Sequence, residues 1–371
     1  MVKILNTHRW LVIFLIAFSL VIFARNDLPV LGWYPASPPQ AYLPVMLKLF
    51  TPTPTYIPTT QPTGEPTSTA QPTATPTSTS QLTATPTPTP IETTPPPSDW
   101  LGYVNWLRSL GELPAVTENT SWSSGGWYHA RYMVKNDYIG HSEDPSNLWY
   151  TAEGNSAAGS SDVMVSSSTS ATDIYAIDLW MSGPFHGIGI IDPALSVSGF
   201  GSYREADGGW QMGACLDVFR GLGSIPPSVT FPEMWPRNGG IMPYTAFWGT
   251  ESPDPLTSCP GYAAPSGPPI YLQIGAGDQT PNVTDHSFSQ GGVSLDHCVF
   301  DETNYTNPDS YSQNLGRGVL NMRDAIILMP KNPLSPGDTY TISITNSGTT
   351  YSWSITVTAS NLFTIPYSEI R

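Results

Sequence analysis

The 371-residue chain carries 32 Gly and 39 Pro, but only 12% of its residues are charged, against roughly 25% in an ordinary soluble domain. With 14 Lys and Arg against 29 Asp and Glu, its formal charge of -15 sets up no field that would attract a phosphate backbone, which excludes nucleic acid as a partner. The 12 Trp and 18 Tyr supply enough aromatic surface for one or two cores, so disorder is excluded for most of the chain.

From Trp10 to Ala24 an apolar stretch follows Lys3, His8 and Arg9, the pattern of an export signal. At about 1.5 Å per residue it covers roughly 22 Å, short of a hydrocarbon core of about 30 Å. Residues 1–25 are therefore expected to be a signal peptide, with an uncleaved signal-anchor in the membrane as the rival. Either way, the expected location is extracellular or cell-surface. The run AYLPVMLKLF is apolar enough to pack locally or lie at a membrane interface.

Residues 26–98 read as a disordered linker rich in Thr and Pro. From Thr51 to Ser98 it is built of TPTPT-like units, holds a third of the prolines, and has Glu65 and Glu92 as its only charges. Proline removes backbone donors and favours extended geometry, so a stiff stalk is expected, bare or O-glycosylated.

Order begins near Trp100. Apolar residues at Trp100, Tyr103, Val104 and Leu107 have helical spacing, and Gly111 ends the run. A second helix is expected over Ser123–Asn136, and a third over Thr172–Met181, stopped by Gly183 and Pro184. Two β-like pieces follow, SVSGFGSY and GGWQMGACLDVF, with Asp207-Gly208-Gly209 as a hairpin signal. Helices followed by strands predict an α+β domain over 99–223. After Pro226 the texture changes: ILMP, TYTISITN and TYSWSITVT alternate as strands do, between turns such as Ser335-Pro336-Gly337-Asp338. Residues 228–371 are expected to form an all-β sandwich.

Three of the 6 histidines lie in the first ordered part. His129 sits inside the second helix. His141 follows Gly140, Glu153 comes twelve residues later in AEGNSAAG, and His186 lies just past the third helix. Two imidazoles and a carboxylate near loops are what a divalent-metal or acid/base pocket needs. Spacing leaves open whether they meet or are three separately solvated or hydrogen-bonded residues. The chain has no G-x-S-x-G elbow, H-E-x-x-H or reactive-cysteine context, which favours a binding role over an enzyme's. The 3 cysteines are too few for a disulfide framework. If two pair, Cys259 and Cys298 are chosen because both lie in the C-terminal half, leaving Cys215 as a buried thiol. Asp296, Asp301 and Glu302 around His297 read as a solvated loop.

The ordered series HARYM, GH, AEGNSAAG, DLWMSGPFH, IDPALSVSGFG and GGWQMGACLDV resembles the CAP superfamily of cysteine-rich secretory proteins, antigen 5 and pathogenesis-related 1 proteins, in its bacterial form. The resemblance covers Asp99 to Gly223. It implies an α-β-α sandwich with a cleft lined by two histidines and two acids, matching His141, Glu153 and His186. The fourth position departs: the family's eukaryotic members carry Glu three residues after the helix Trp, where this chain has Gly183 after Trp180. Asp178 is the nearest acid and a candidate substitute. His129 matches no cleft position and is expected to be structural, while Tyr132 could line the cleft. PLSPGDTYTISIT and TYSWSITV resemble bacterial Ig-like modules. Together these imply an α+β fold with a CAP-like α-β-α sandwich followed by an all-β Ig-like sandwich, behind a signal or anchor and a stalk. The implied function is binding of a lipid, glycan, cell-wall component or divalent metal, with zinc at His141 and His186 as the one cofactor suggested. A metal-assisted hydrolase using His141, Glu153 and His186, and a structural adhesin with a vestigial cleft, are the alternatives.

Overall fold

A computed structural model describes residues 41–42 and 96–358. The apolar stretch at 10–24 and the Thr/Pro units from 51 to 95 lie outside the described residues. Among the described residues no helix is long and apolar enough to cross a membrane.

Five helices begin with a side chain that accepts a hydrogen bond from their first turn. Helix α1 (Trp100–Ser109) is capped by Asp99, α2 (Thr120–Lys135) by Asn119, α3 (Ala152–Ala158) by Thr151 and α4 (Asp173–Ser182) by Thr172. Beyond α5 (Pro184–Ile190), α6 (Ser310–Asn321) is capped by Asp309. Each cap satisfies one of the backbone donors that a helix start leaves orphaned. Helix α5 differs: its N-cap is Gly183, which has no side chain to offer.

The first sheet has the strand order Phe200–Arg204, Met212–Asp217, Ser161–Ser166, Ala41–Tyr42, Glu251–Ser252. Side chains alternate across it. Val163, Val165 and Cys215 pack with Met133 and Ala157 of α2 and α3. Met164, Met212, Ala214 and Leu216 join the other core with Tyr103, Trp180, Phe185 and Ile188 of α1, α4 and α5. Helices thus cover both faces of a mixed, α+β arrangement. The Asp207-Gly208-Gly209 signal does mark a connection between paired strands, but Arg204 pairs with Met212, so the loop is longer than a tight hairpin turn.

The C-terminal part holds two sheets. One is antiparallel, in the order His297–Phe300, Ala325–Pro330, Ile270–Gln273, Glu233–Trp235. The other runs Val293–Ser294, Val283–Gln290, Thr339–Asn346, Thr349–Val357, Gly240–Met242. The Thr339–Asn346 and Thr349–Val357 hairpin turns at Ser347-Gly348, both with positive φ, the geometry that suits the twist of a two-residue hairpin loop. Cys259 and Cys298 form a disulfide, and Cys215 is a buried free thiol.

No gap in the core marks residues 223–228. Trp235, Tyr244, Tyr271, Phe300 and Tyr305 belong to the same buried cluster as Trp180 and Phe185, and the described residues all fall within one compact unit. Buried polar ties cross the same boundary. Arg323 pairs with Asp192 at 2.8 Å, the Trp235 indole donates to the Leu107 carbonyl at 2.8 Å, and the Tyr271 hydroxyl donates to the Gly183 carbonyl at 3.1 Å.

Within the helical layer one guanidinium organises the loops. Arg108 is wholly buried and donates to the carbonyls of Pro114, Ile190, Asp192 and Leu195 at 2.8, 2.7, 2.9 and 3.0 Å. Burial lowers its pKa to about 10, with Asp192 pulling the other way, so it remains a cation at neutral pH. Lysine has no planar fork to reach four fixed acceptors. Arg108→Lys is expected to lower the unfolding free energy by about 3 kcal/mol, the order of a buried charge losing its partners; urea denaturation checks it, and an unchanged midpoint would show the fork is dispensable.

Candidate functional site

Helix α5 obtains its cap from far along the chain. Glu251 Oε1 accepts the backbone N–H groups of Phe185 and His186, each at 2.8 Å, and lies 2.8 Å from His186 Nδ1. His186 is wholly buried, and the Glu251 side chain is 2% exposed. A Cβ placed on Gly183 would fall 2.6 Å from the Glu251 carboxyl carbon. Glycine at 183 and the acid at 251 are therefore one arrangement: the space a side chain would fill from 183 holds a carboxylate delivered from the C-terminal part. Burial raises the Glu251 pKa, while His186 and the two backbone donors pull it down.

Asp162 adds a second acid here. It lies on the same sheet face as Met164, is wholly buried, and neither carboxylate oxygen has a hydrogen-bond partner. Burial pushes its pKa up to about 8, against the opposing charges of His186 and Arg323.

Asp178 is wholly buried too. Its Oδ1 accepts from the Tyr103 hydroxyl at 2.5 Å and the Tyr244 hydroxyl at 3.0 Å, and burial raises its pKa to about 7. It ties α1, α4 and the C-terminal part together.

The other motif residues sit around α3. His141 is half-buried, with Nδ1 3.0 Å from the Ala158 carbonyl. Glu153 is exposed in the first turn of α3, where the helix dipole favours an acid. The buried acid of this region is Glu143. It contacts His129 Nδ1 at 3.0 Å and accepts the Thr151 N–H at 2.9 Å, while Asn155 accepts the Glu143 N–H at 2.9 Å. Gly154 leaves room for it, since a Cβ there would fall 2.4 Å from Glu143 Oε1. The second ring nitrogen of His129 lies 2.8 Å from the Gly140 carbonyl, which makes His129 a structural histidine. Tyr132 is buried and its hydroxyl accepts the Asp144 N–H at 3.0 Å.

Among the described residues no group of three or more His, Cys, Asp or Glu side chains is placed to hold a metal ion. The zinc pair His141 and His186, with Glu153 as the hydrolase's general base, is therefore not part of any such group.

Facing outward, α2 presents rings around a cation. Trp127 is 38% exposed. Arg131 lies over the rings of Trp127, Tyr128 and Trp149 at 4.9, 5.3 and 5.2 Å, and Tyr203 meets Trp127 edge-on at 5.5 Å. Lys135 completes the patch through Glu205 at 2.6 Å and Asp207 at 2.9 Å.

This order of helices, strands and buried motif residues has a counterpart among known families. Residues 101–215 match the family model CAP, the cysteine-rich secretory protein family. No curated protein and no solved structure matches the chain. The CAP segment accounts for α1 to α5 and the strands at 161–166 and 212–217. Glu251 lies beyond it. Sequence reasoning located His186 but missed Glu251, Asp162 and Glu143. The vacancy at Gly183, directly before Pro184, was the signal that an acid had to arrive from elsewhere.

Gly183→Ala should destabilise the native chain more than it destabilises a Glu251→Ala chain. A double-mutant cycle on melting temperature reads that coupling, and strictly additive effects would separate the two positions. For Asp162, an unfolded carboxyl titrates near 3.9, whereas the folded one titrates near 8. The folded state therefore binds the extra proton between those values, and this group's contribution falls as pH rises through that window. Asp162→Asn, which cannot ionise, should gain melting temperature relative to the native chain between pH 5 and pH 8.5; a gap that does not change with pH would contradict the assignment.

Proposed function

We propose that the chain is an exported, cell-surface CAP-domain protein that acts by binding, with a glycan or cell-wall polysaccharide as its ligand and an Ig-like sandwich as the body behind the CAP segment. The export reading rests on the N-terminal apolar stretch and the Thr/Pro segment. The Ig-like reading rests on the two C-terminal sheets and their alternating strands.

The observation that carries the binding reading is the ring cluster on α2. Trp127, Tyr128, Trp149 and Tyr203 offer apolar faces on which sugar C–H groups stack, and Arg131, Lys135, Glu205 and Asp207 supply charged groups for hydroxyls. Rigid aromatics bind at low conformational-entropy cost, and polar neighbours orient the ligand. The hydrolase alternative is disfavoured by the burial of His186, whose Nδ1 and backbone N–H both engage Glu251. A water molecule attacking substrate there would have to displace a packed interface.

Affinity electrophoresis against soluble cell-wall polysaccharides tests this. The native chain should be retarded, and Trp127→Ala or Trp149→Ala should weaken retention about tenfold, the loss of roughly 1.4 kcal/mol of ring contact. Retention unchanged in both variants would overturn the ring-cluster reading; release of reducing ends would favour the hydrolase. No retention of the native chain would leave the adhesin alternative in front.

A further inference from the structure

Away from the CAP segment, two histidines from different strands face each other. His286 lies on the strand Val283–Gln290, and His297 opens the strand His297–Phe300. His286 Nδ1 is 2.9 Å from His297 Nε2, and the two rings stand almost perpendicular, with centroids 4.9 Å apart. His286 is exposed and His297 half-buried, so the pair is open to solvent.

The protons on this pair follow from one carbonyl. His297 Nδ1 lies 2.8 Å from the Leu295 carbonyl oxygen, which can only accept. His297 therefore carries its proton on Nδ1 and presents a lone pair at Nε2, toward His286. A ring N–H anchored on a backbone carbonyl is the arrangement that fixes a histidine's tautomer and points its other nitrogen at a metal. At metal–nitrogen distances of about 2.0–2.1 Å, two nitrogens 2.9 Å apart subtend about 90°. Tetragonal Cu(II) or Ni(II) takes that angle; tetrahedral zinc would need the nitrogens at about 3.3 Å. Imidazole nitrogen suits these ions, and copper stands highest in the order of divalent affinities.

Because His286 is exposed, water can reach the pair and complete the coordination. The Asp301 and Glu302 loop, read from sequence as solvated, is not part of this: Asp301 is buried and accepts from Thr303.

We propose that His286 and His297 form a surface site for a divalent transition metal of the copper or nickel class, with two protein nitrogens and water completing the coordination. On binding, His286 shifts its proton from Nδ1 to Nε2, so that both facing nitrogens donate lone pairs and no net proton is released. The proposal is independent of the ring cluster on α2.

Titration of the untagged full chain with copper sulfate, followed by calorimetry and electron paramagnetic resonance, tests it. The expected result is one copper per chain with a tetragonal spectrum split by two nitrogens. His286→Gln and His297→Gln should each weaken binding about tenfold or more and remove one nitrogen from the splitting. If His297→Gln disturbs the strand, the exposed His286→Gln keeps the test intact, with circular dichroism confirming its fold. Native affinity and spectrum in His286→Gln would overturn the proposal, as would a native chain whose copper signal lacks the two-nitrogen splitting.

Discussion

A helix with no cap of its own is the constraint around which this molecule is arranged. Helix α5 starts at a glycine and a proline, which leaves its first backbone donors without a local acceptor. A single carboxylate oxygen of Glu251 receives two of them and the His186 ring. Buried donors without partners cost free energy, so the CAP segment needs the strand that carries Glu251. Two further ties across the boundary are Tyr244 on Asp178 and Arg323 on Asp192. In each, a buried acid on the CAP side meets a donor from the C-terminal part.

What the sequence made legible was local. The hydrophobic period located α1, α2 and α4 to within a few residues, while the capping side chains of Asp99 and Asn119 went unread. The hairpin TYTISITN and TYSWSITVT alternates cleanly because one of its faces is buried. Ser161–Ser166 escaped notice because all six of its residues are buried, so its Ser and Asp break the apolar pattern that marks a core strand. Helix α6 was missed as well, its Ser, Gln, Asn and Gly content reading as a loop.

The site was legible only in half. His186 stands in a motif, but Glu251 is 65 residues away on a two-residue strand with no pattern around it. Glu143 was passed over for Glu153, since SED reads as a solvated turn. What distinguishes the two is Gly154, whose missing side chain makes room for the buried acid. The same blindness hid His286 from His297, which meet only because the strand Val283–Gln290 passes beside the strand His297–Phe300. Long-range partners are set by topology, and one sequence carries little trace of them.

The short strand Ala41–Tyr42 has a mechanical meaning. It lies between Ser161–Ser166, to which it runs antiparallel, and Glu251–Ser252, to which it runs parallel. Residue 42 and residue 96 thus belong to one body. Tension applied to the chain ahead of Ala41 is met at this β-ladder. Its few backbone hydrogen bonds must shear before that tension passes on, and they lie next to the strand that holds Glu251 in place.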